Sequence, residues 1–104
     1  MLGIHGGDAE TSLILAFNPE AVDMGAAKDF RSTAETRKIS PIGPTAYGWI
    51  ASDLNPGGAV GEAHLATADK GHTLAGHLVQ GVIGLLRDVT AMPLDGFEPV
   101  TTAF

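Results

Sequence analysis

The 104-residue sequence contains no cysteine. That excludes disulfide staples, thiol catalysis and Cys-ligated zinc. Basic residues are scarce: six Lys and Arg against twelve Asp and Glu leave a formal net charge of −6. No run of basic residues tracks a phosphate backbone, so no nucleic-acid partner is expected. No apolar stretch reaches the roughly 18 residues of a membrane span, so no membrane partner is expected either. The opening Met1-Leu2-Gly3-Ile4-His5 lacks the basic and apolar regions of a secretory signal, and a cytoplasmic protein is expected. Aromatic residues are only 6% of the chain and charged residues 17%.

What is present allows one small domain. Leu, Ile, Val and Phe make up about a quarter of the residues, above the roughly 20% below which chains stay disordered. Glycine is abundant at 14 residues, about twice average usage. Each glycine loses more backbone freedom on folding than other residues and brings no side chain to the core.

Ala9 to Phe17 reads as a short helix. Asp8 is its candidate N-cap, and Leu13, Ile14 and Phe17 form a compact apolar face. Asn18-Pro19-Glu20 reads as a second helix start, stopped within a turn or two by Gly25. Residues 25–48 show no period and are punctuated by Pro41, Gly43, Pro44 and Gly48, so an irregular loop is expected. Tyr47 to Ala51 is the best strand candidate, Asn55-Pro56-Gly57-Gly58 a turn, and Ala59-Val60-Gly61 a second extended piece.

The strongest element is a helix from about Thr67 to Ala91. Thr67 is its N-cap, Leu74, Leu78, Val82, Leu85 and Val89 form its apolar stripe, and Pro93 ends it. Lys70, Thr73, His77, Gln80 and Arg87 run along the other side. Gly71, Gly76, Gly81 and Gly84 lie inside it, each costing about 0.8–1 kcal/mol against Ala, so tertiary packing must hold it. Such a stripe needs a large apolar partner, and two short strands do not supply one. Part of that partner is expected outside this sequence. Leu94 to Phe104 reads as a loose tail.

Chemistry concentrates in His5-Gly6-Gly7-Asp8-Ala9-Glu10-Thr11-Ser12. An imidazole on a glycine-rich loop, just before a helix N-terminus, suits acid–base work near neutral pH, and the glycines allow close approach of a ligand. The plainer alternative is a histidine that only ties down a loop, with Asp8 and Glu10 as ordinary helix-start residues. His5, Asp8 and Glu10 do not have a metal-site spacing with a settled mechanism, and one loop rarely supplies a full ligand set. His72 and His77 are five apart, about 140° around a helix, and do not converge. His64 precedes the helix. Ser12 has no nucleophile elbow around it. Gly57-Gly58-Ala59-Val60-Gly61 lacks the context of a nucleotide loop. Trp49 suits a core or an interface better than a ligand platform.

Two blocks carry a family resemblance. Ile4-His5-Gly6-Gly7-Asp8-Ala9-Glu10-Thr11-Ser12-Leu13, running on to Pro19-Glu20-Ala21-Val22, resembles the His-(Ala/Gly)-Gly-x-x-Glu-Thr-Ser-Leu block of the creatininase (creatinine amidohydrolase) family. Asp53 to Glu62, leading into Ala66-Thr67-Ala68-Asp69-Lys70-Gly71, resembles that family's Ala-Thr-Ala-(Glu/Asp)-Lys-Gly entry into a last long helix.

The resemblance implies an α/β chain: the C-terminal part of a three-layer α/β/α sandwich with a long amphipathic helix and few short strands. Residues 1–104 would form one partial domain, with 94–104 as its tail, and the chain a truncated C-terminal segment. It implies a metal-dependent amidohydrolase acting on a non-peptide or cyclic amide C–N bond of a small molecule. Creatinine ring opening, formamide deformylation and mycofactocin-type peptide trimming are the family's known options. His5 would transfer protons, Glu10 would act in the same catalytic block as support for the loop, and Gly6 and Gly7 would bind substrate. Zinc or manganese would activate the water. The family's metal ligands, a Glu-x-His pair, a nearby Asp and a later His-x-Glu motif, come from the half that precedes the His block, and none is assigned to a position here. A homo-oligomer or a complementing N-terminal segment is implied as partner. The competing expectation is a non-catalytic fragment that docks on a full-length relative through the apolar face of 67–91.

Overall fold

The computed structural model describes residues 3–97. Helix α1 (Asp8–Phe17) is followed by strand β1 (Asp29–Phe30), helix α2 (Ala51–Leu54), strand β2 (Gly61–Glu62) and helix α3 (Ala68–Ala91). Short 3₁₀ turns occupy Pro19–Ala21, Thr33–Thr36 and Ala63–Leu65. The two strands pair antiparallel, Asp29 opposite Glu62 and Phe30 opposite Gly61. Beside them His5 and Val60 form an isolated antiparallel bridge. The result is a partial α/β fold: helices, a two-stranded ribbon and a long final helix.

The first and the last of the expected helices form, with one correction at the first. Gly7, not Asp8, is the N-cap of α1. The Glu10 carboxylate reaches back to the Gly7 N–H at 3.2 Å, which is one arm of a capping box, since glycine has no side chain for the other. The Asp8 carboxylate is occupied instead by the Ser12 hydroxyl and the Lys70 ammonium. At its far end α1 stops where Pro19 opens a 3₁₀ turn. The expected second helix amounts to that turn. In α3 the Thr67 hydroxyl accepts from the Lys70 N–H at 3.3 Å, and the helix runs to Ala91, two residues short of Pro93.

The middle of the chain departs from expectation in two places. Residues 47–51 form no strand. Tyr47 and Trp49 are half-buried while Gly48 and Ile50 are exposed, the alternation of a strand, but among the described residues no segment pairs with this backbone. The Trp49 indole N–H donates to the Pro41 carbonyl at 2.6 Å, and Ala51 opens α2. The second departure is order within 25–48. The Thr33 hydroxyl donates to the Asp53 carbonyl at 2.9 Å and the Asn55 amide donates to the Arg31 carbonyl at 2.9 Å. These ties link residues 20 and 24 apart in sequence, so no local pattern reveals them. Of the expected loose tail, Leu94 to Phe97 make a turn closed by Phe97 N–H to the Leu94 carbonyl, and the remainder lies outside the described residues.

The apolar core is small. Ala34, Leu54 and Val60 are buried, with Ile4, Tyr47 and Trp49 packed around them. The other contact that organises the chain is the crossing of α1 over the start of α3. There Gly71 lies against the Ser12 carbonyl so closely that an added Cβ would sit 1.9 Å from that oxygen. The radius of gyration is 19.5 Å, against about 13 Å for a compact domain of this length. The excess reflects α3, whose 24 residues extend about 36 Å and outrun α1.

This crossing generates a paired expectation. Gly71→Ala should cost about 1–3 kcal/mol or more, because the clash is with backbone that cannot rotate away. Gly76→Ala meets nothing within 4 Å and should add about 0.8–1 kcal/mol of helix stability. Urea denaturation followed by circular dichroism measures both, and equal midpoints for the two variants would contradict the close approach.

Candidate functional site

The His5 loop is held by backbone, not by its imidazole. The N–H groups of Ile4 and His5 both donate to the Val60 carbonyl, at 2.9 and 3.2 Å, and the Val60 N–H donates to the His5 carbonyl at 2.6 Å. Val60 is fully buried, so the anchor is part of the core. Gly6 follows at φ +64°, a conformation that costs a residue with a Cβ about 1–2 kcal/mol. That turn lifts the chain from the Val60 edge into α1. Gly7 is buried with the Cα of Gly3 and of Gly61 close by, and a Cβ there would approach both at 3.3 Å. The side chain of His5 is exposed, and among the described residues none hydrogen-bonds its imidazole.

Two concavities flank the loop. Gly6 and Glu10 line a shallow groove of about 350 Å³ whose walls include Thr11, Ile14, Val22 and Phe30. On the other side a cavity of about 400 Å³ is bordered by Asp8, Glu10, Ser12, Glu62 and Lys70. Both volumes lie at the small end of the range for small-molecule sites. Glu10 borders both, and its carboxylate is engaged with the Gly7 N–H. The structure thus brings Gly6 and Glu10 to one groove and keeps Gly7 as a packing position. His5 stands next to them in the chain but lines neither concavity.

Sequence analysis assigned no metal pair, yet Glu62-Ala63-His64 spells Glu-x-His directly before α3. No third ligand joins it: among the described residues no group of three or more His, Asp or Glu can hold a metal ion. The polar cluster that does assemble is one that sequence spacing had not joined. The buried Ser12 hydroxyl donates to Asp8 at 3.1 Å and accepts the Thr67 N–H at 3.1 Å. The Lys70 ammonium bonds Asp8 and the Leu65 carbonyl, each at 2.7 Å. Residues 55 and 62 positions apart are so connected, and only their shared place at helix starts hinted at it.

The Lys70 ammonium, by its hydrogen bond and charge, holds the Asp8 carboxyl below its ordinary value, with the Ser12 hydroxyl and the His64 charge adding to it and partial burial opposing. A lowered folded value means that stabilisation is complete above the ordinary carboxylate pKa of about 3.9 and is lost as pH falls through the lower folded value. Side-chain exposures of 50% for Lys70 and 35% for Asp8 leave much of the pair in water, so its contribution is about 0.5 kcal/mol. Thermal melts between pH 6 and pH 2.5 should therefore show the Asp8→Asn variant losing about 2–4 °C less than the parent chain. Parallel losses would mean that the pair does not contribute.

No helix of the described residues is long and apolar enough to cross a membrane. No curated protein and no solved structure matches the chain. A family model does, over residues 2–86: the model for creatininase, described as creatinine amidohydrolase. The matched span holds the His5 loop, α1, the Val60 edge, the Thr67 cap and most of α3. By that match this chain belongs to the creatininase family.

Proposed function

We propose that the chain is the His-loop portion of a metal-dependent amidohydrolase that cleaves a non-peptide or cyclic amide C–N bond of a small molecule. Family membership points to amidohydrolase chemistry. The observation that carries the finer reading is the exposed His5, fixed by its backbone to the buried Val60 beside a glycine-turned groove. In this reading the imidazole takes a proton from the attacking water and returns it to the amide nitrogen as the C–N bond breaks. Gly6 shapes the groove for close substrate approach. Glu10 acts through the loop, as the carboxylate that holds the Gly7 N–H.

Zinc or manganese is the group this reading calls for, and it would supply activation of the water and polarisation of the carbonyl. The described residues do not fit it, since no ligand set converges, so no step here is routed through it. The reading takes the ligands from polypeptide outside these 104 residues, a complementing N-terminal segment or another subunit. That polypeptide would also complete a three-layer α/β/α sandwich, in a cytoplasmic homo-oligomer of which this chain is the C-terminal part. The exposed apolar length of α3 favours a second reading, a non-catalytic fragment that docks on a full-length relative.

The test mixes the chain with the family's preceding half and zinc or manganese, then assays cyclic and formyl amides. His5→Ala should lower kcat by about 10²–10⁴-fold. Full activity in that variant would remove His5 from the mechanism.

A further inference from the structure

Two segments far apart in sequence meet beside His5 at three glycines. Gly61, buried in β2, approaches the backbone of the His5 loop. A Cβ on it would sit 2.8 Å from the Gly7 Cα and 3.0 Å from the Gly3 Cα. Carbon atoms in contact ordinarily keep about 3.5–4.0 Å apart. Gly61 also stands at φ +148°, a conformation open to glycine and strained for a residue with a side chain. Seen from the loop the contact is more tolerant. A Cβ on Gly7 would approach the Cα atoms of Gly3 and Gly61 at 3.3 Å, and one on Gly3 would reach only the Gly7 Cα, at 3.9 Å. Of the three, Gly61 is the position that most strictly excludes a side chain.

The placement of His5 depends on this approach. The bonds that hold residues 4 and 5 all run to Val60, the neighbour of Gly61. If Gly61 carried a side chain, one of the two segments would have to move. The β2 side is pinned, because Val60 is fully buried and Gly61 pairs with Phe30 on its other edge. The loop side yields, because Gly3 and His5 are exposed. A methyl group at position 61 therefore drives residues 3–5 outward by at least about half an ångström and pulls them off the Val60 backbone.

We propose that Gly61 is a positioning residue for His5. By lacking a side chain it lets the loop lie on the Val60 edge, and so sets where the imidazole stands beside the Gly6 groove. The proposal rests on the proton transfer assigned to His5 above. Gly61 itself touches no substrate and acts only through the His5 backbone. A shift of a reacting group by about 1 Å costs about 10²-fold in rate, so a methyl group at this distance is enough to matter.

Amide hydrogen exchange of the full chain, followed residue by residue by NMR, tests the placement independently of activity. Gly61→Ala should speed exchange at the His5 and Val60 N–H groups by at least about ten-fold relative to the amides of α3. Gly58→Ala is the control. Gly58 also has a positive φ, +76°, but a Cβ there meets nothing within 4 Å. That variant carries backbone strain without the contact and should leave His5 and Val60 unchanged relative to α3. Gly7→Ala presses on the same contact at an unstrained φ of −86°, so it serves if Gly61→Ala does not fold. It should speed the same two amides by a smaller factor. In the chain complemented with the family's preceding half, Gly61→Ala should lower kcat by about 10–10²-fold with KM unchanged. Equal effects of Gly61→Ala and Gly58→Ala overturn the proposal, as does acceleration spread evenly over the loop and α3. Full activity in His5→Ala with the exchange pattern intact would overturn the proton-transfer reading instead, and leave Gly61 a packing position only.

Discussion

The crossing of α1 over the start of α3 is the contact on which the rest of the chain depends. Its centre is Ser12, whose hydroxyl joins the first turn of one helix to the cap of the other. A carbonyl from the same residue packs on Gly71, a position that admits no side chain. Lys70 closes the edge by binding Asp8 and the Leu65 carbonyl at once. A buried hydroxyl with both partners in place loses nothing to desolvation, and the close backbone approach adds dispersion contacts around it. The apolar core alone is too small to hold these helices, since its fully buried large side chains are Leu54 and Val60.

That crossing also sets the geometry of the His5 loop. The loop is strung between two fixed points, the backbone of Val60 on one side and the first turn of α1 on the other. Gly6 makes the turn between them at positive φ, and the Glu10 carboxylate secures Gly7. The exposed imidazole is therefore carried on a loop whose backbone has little freedom, which suits a group that must meet a substrate at a defined place. The arrangement supplies an exposed imidazole near a groove, and among the described residues no three His, Asp or Glu come together to hold a metal ion.

Much of this was legible in the residues. The 67–91 helix followed from its Thr67 cap, its stripe and Pro93, all local signals of known strength. The His5 loop and the start of α1 were legible for the same reason, with the cap displaced by one residue because Asp8 is drawn to Ser12 and Lys70. The Tyr47–Ala51 segment shows the opposite case. Its alternation of burial is real, but a strand exists only when another backbone pairs with it, and no local pattern contains that information. The order found at Thr33–Thr36 likewise rests on Asp53 and Asn55, distant in sequence.

By itself, then, the sequence determined α1 and α3, the glycine-rich histidine loop and the family block that surrounds it, because each is written in neighbours a few residues apart. It also determined that no thiol chemistry occurs, since there is no cysteine. Only the tertiary structure decided that Asp8 and Ser12 serve the helix crossing, that Gly6 and Glu10 share a groove while His5 stands outside it, and that most of the α3 stripe is exposed. The physical reason is range. Caps and periodicity act within a turn of helix, whereas burial and hydrogen-bond partnership depend on which distant segment arrives at each surface.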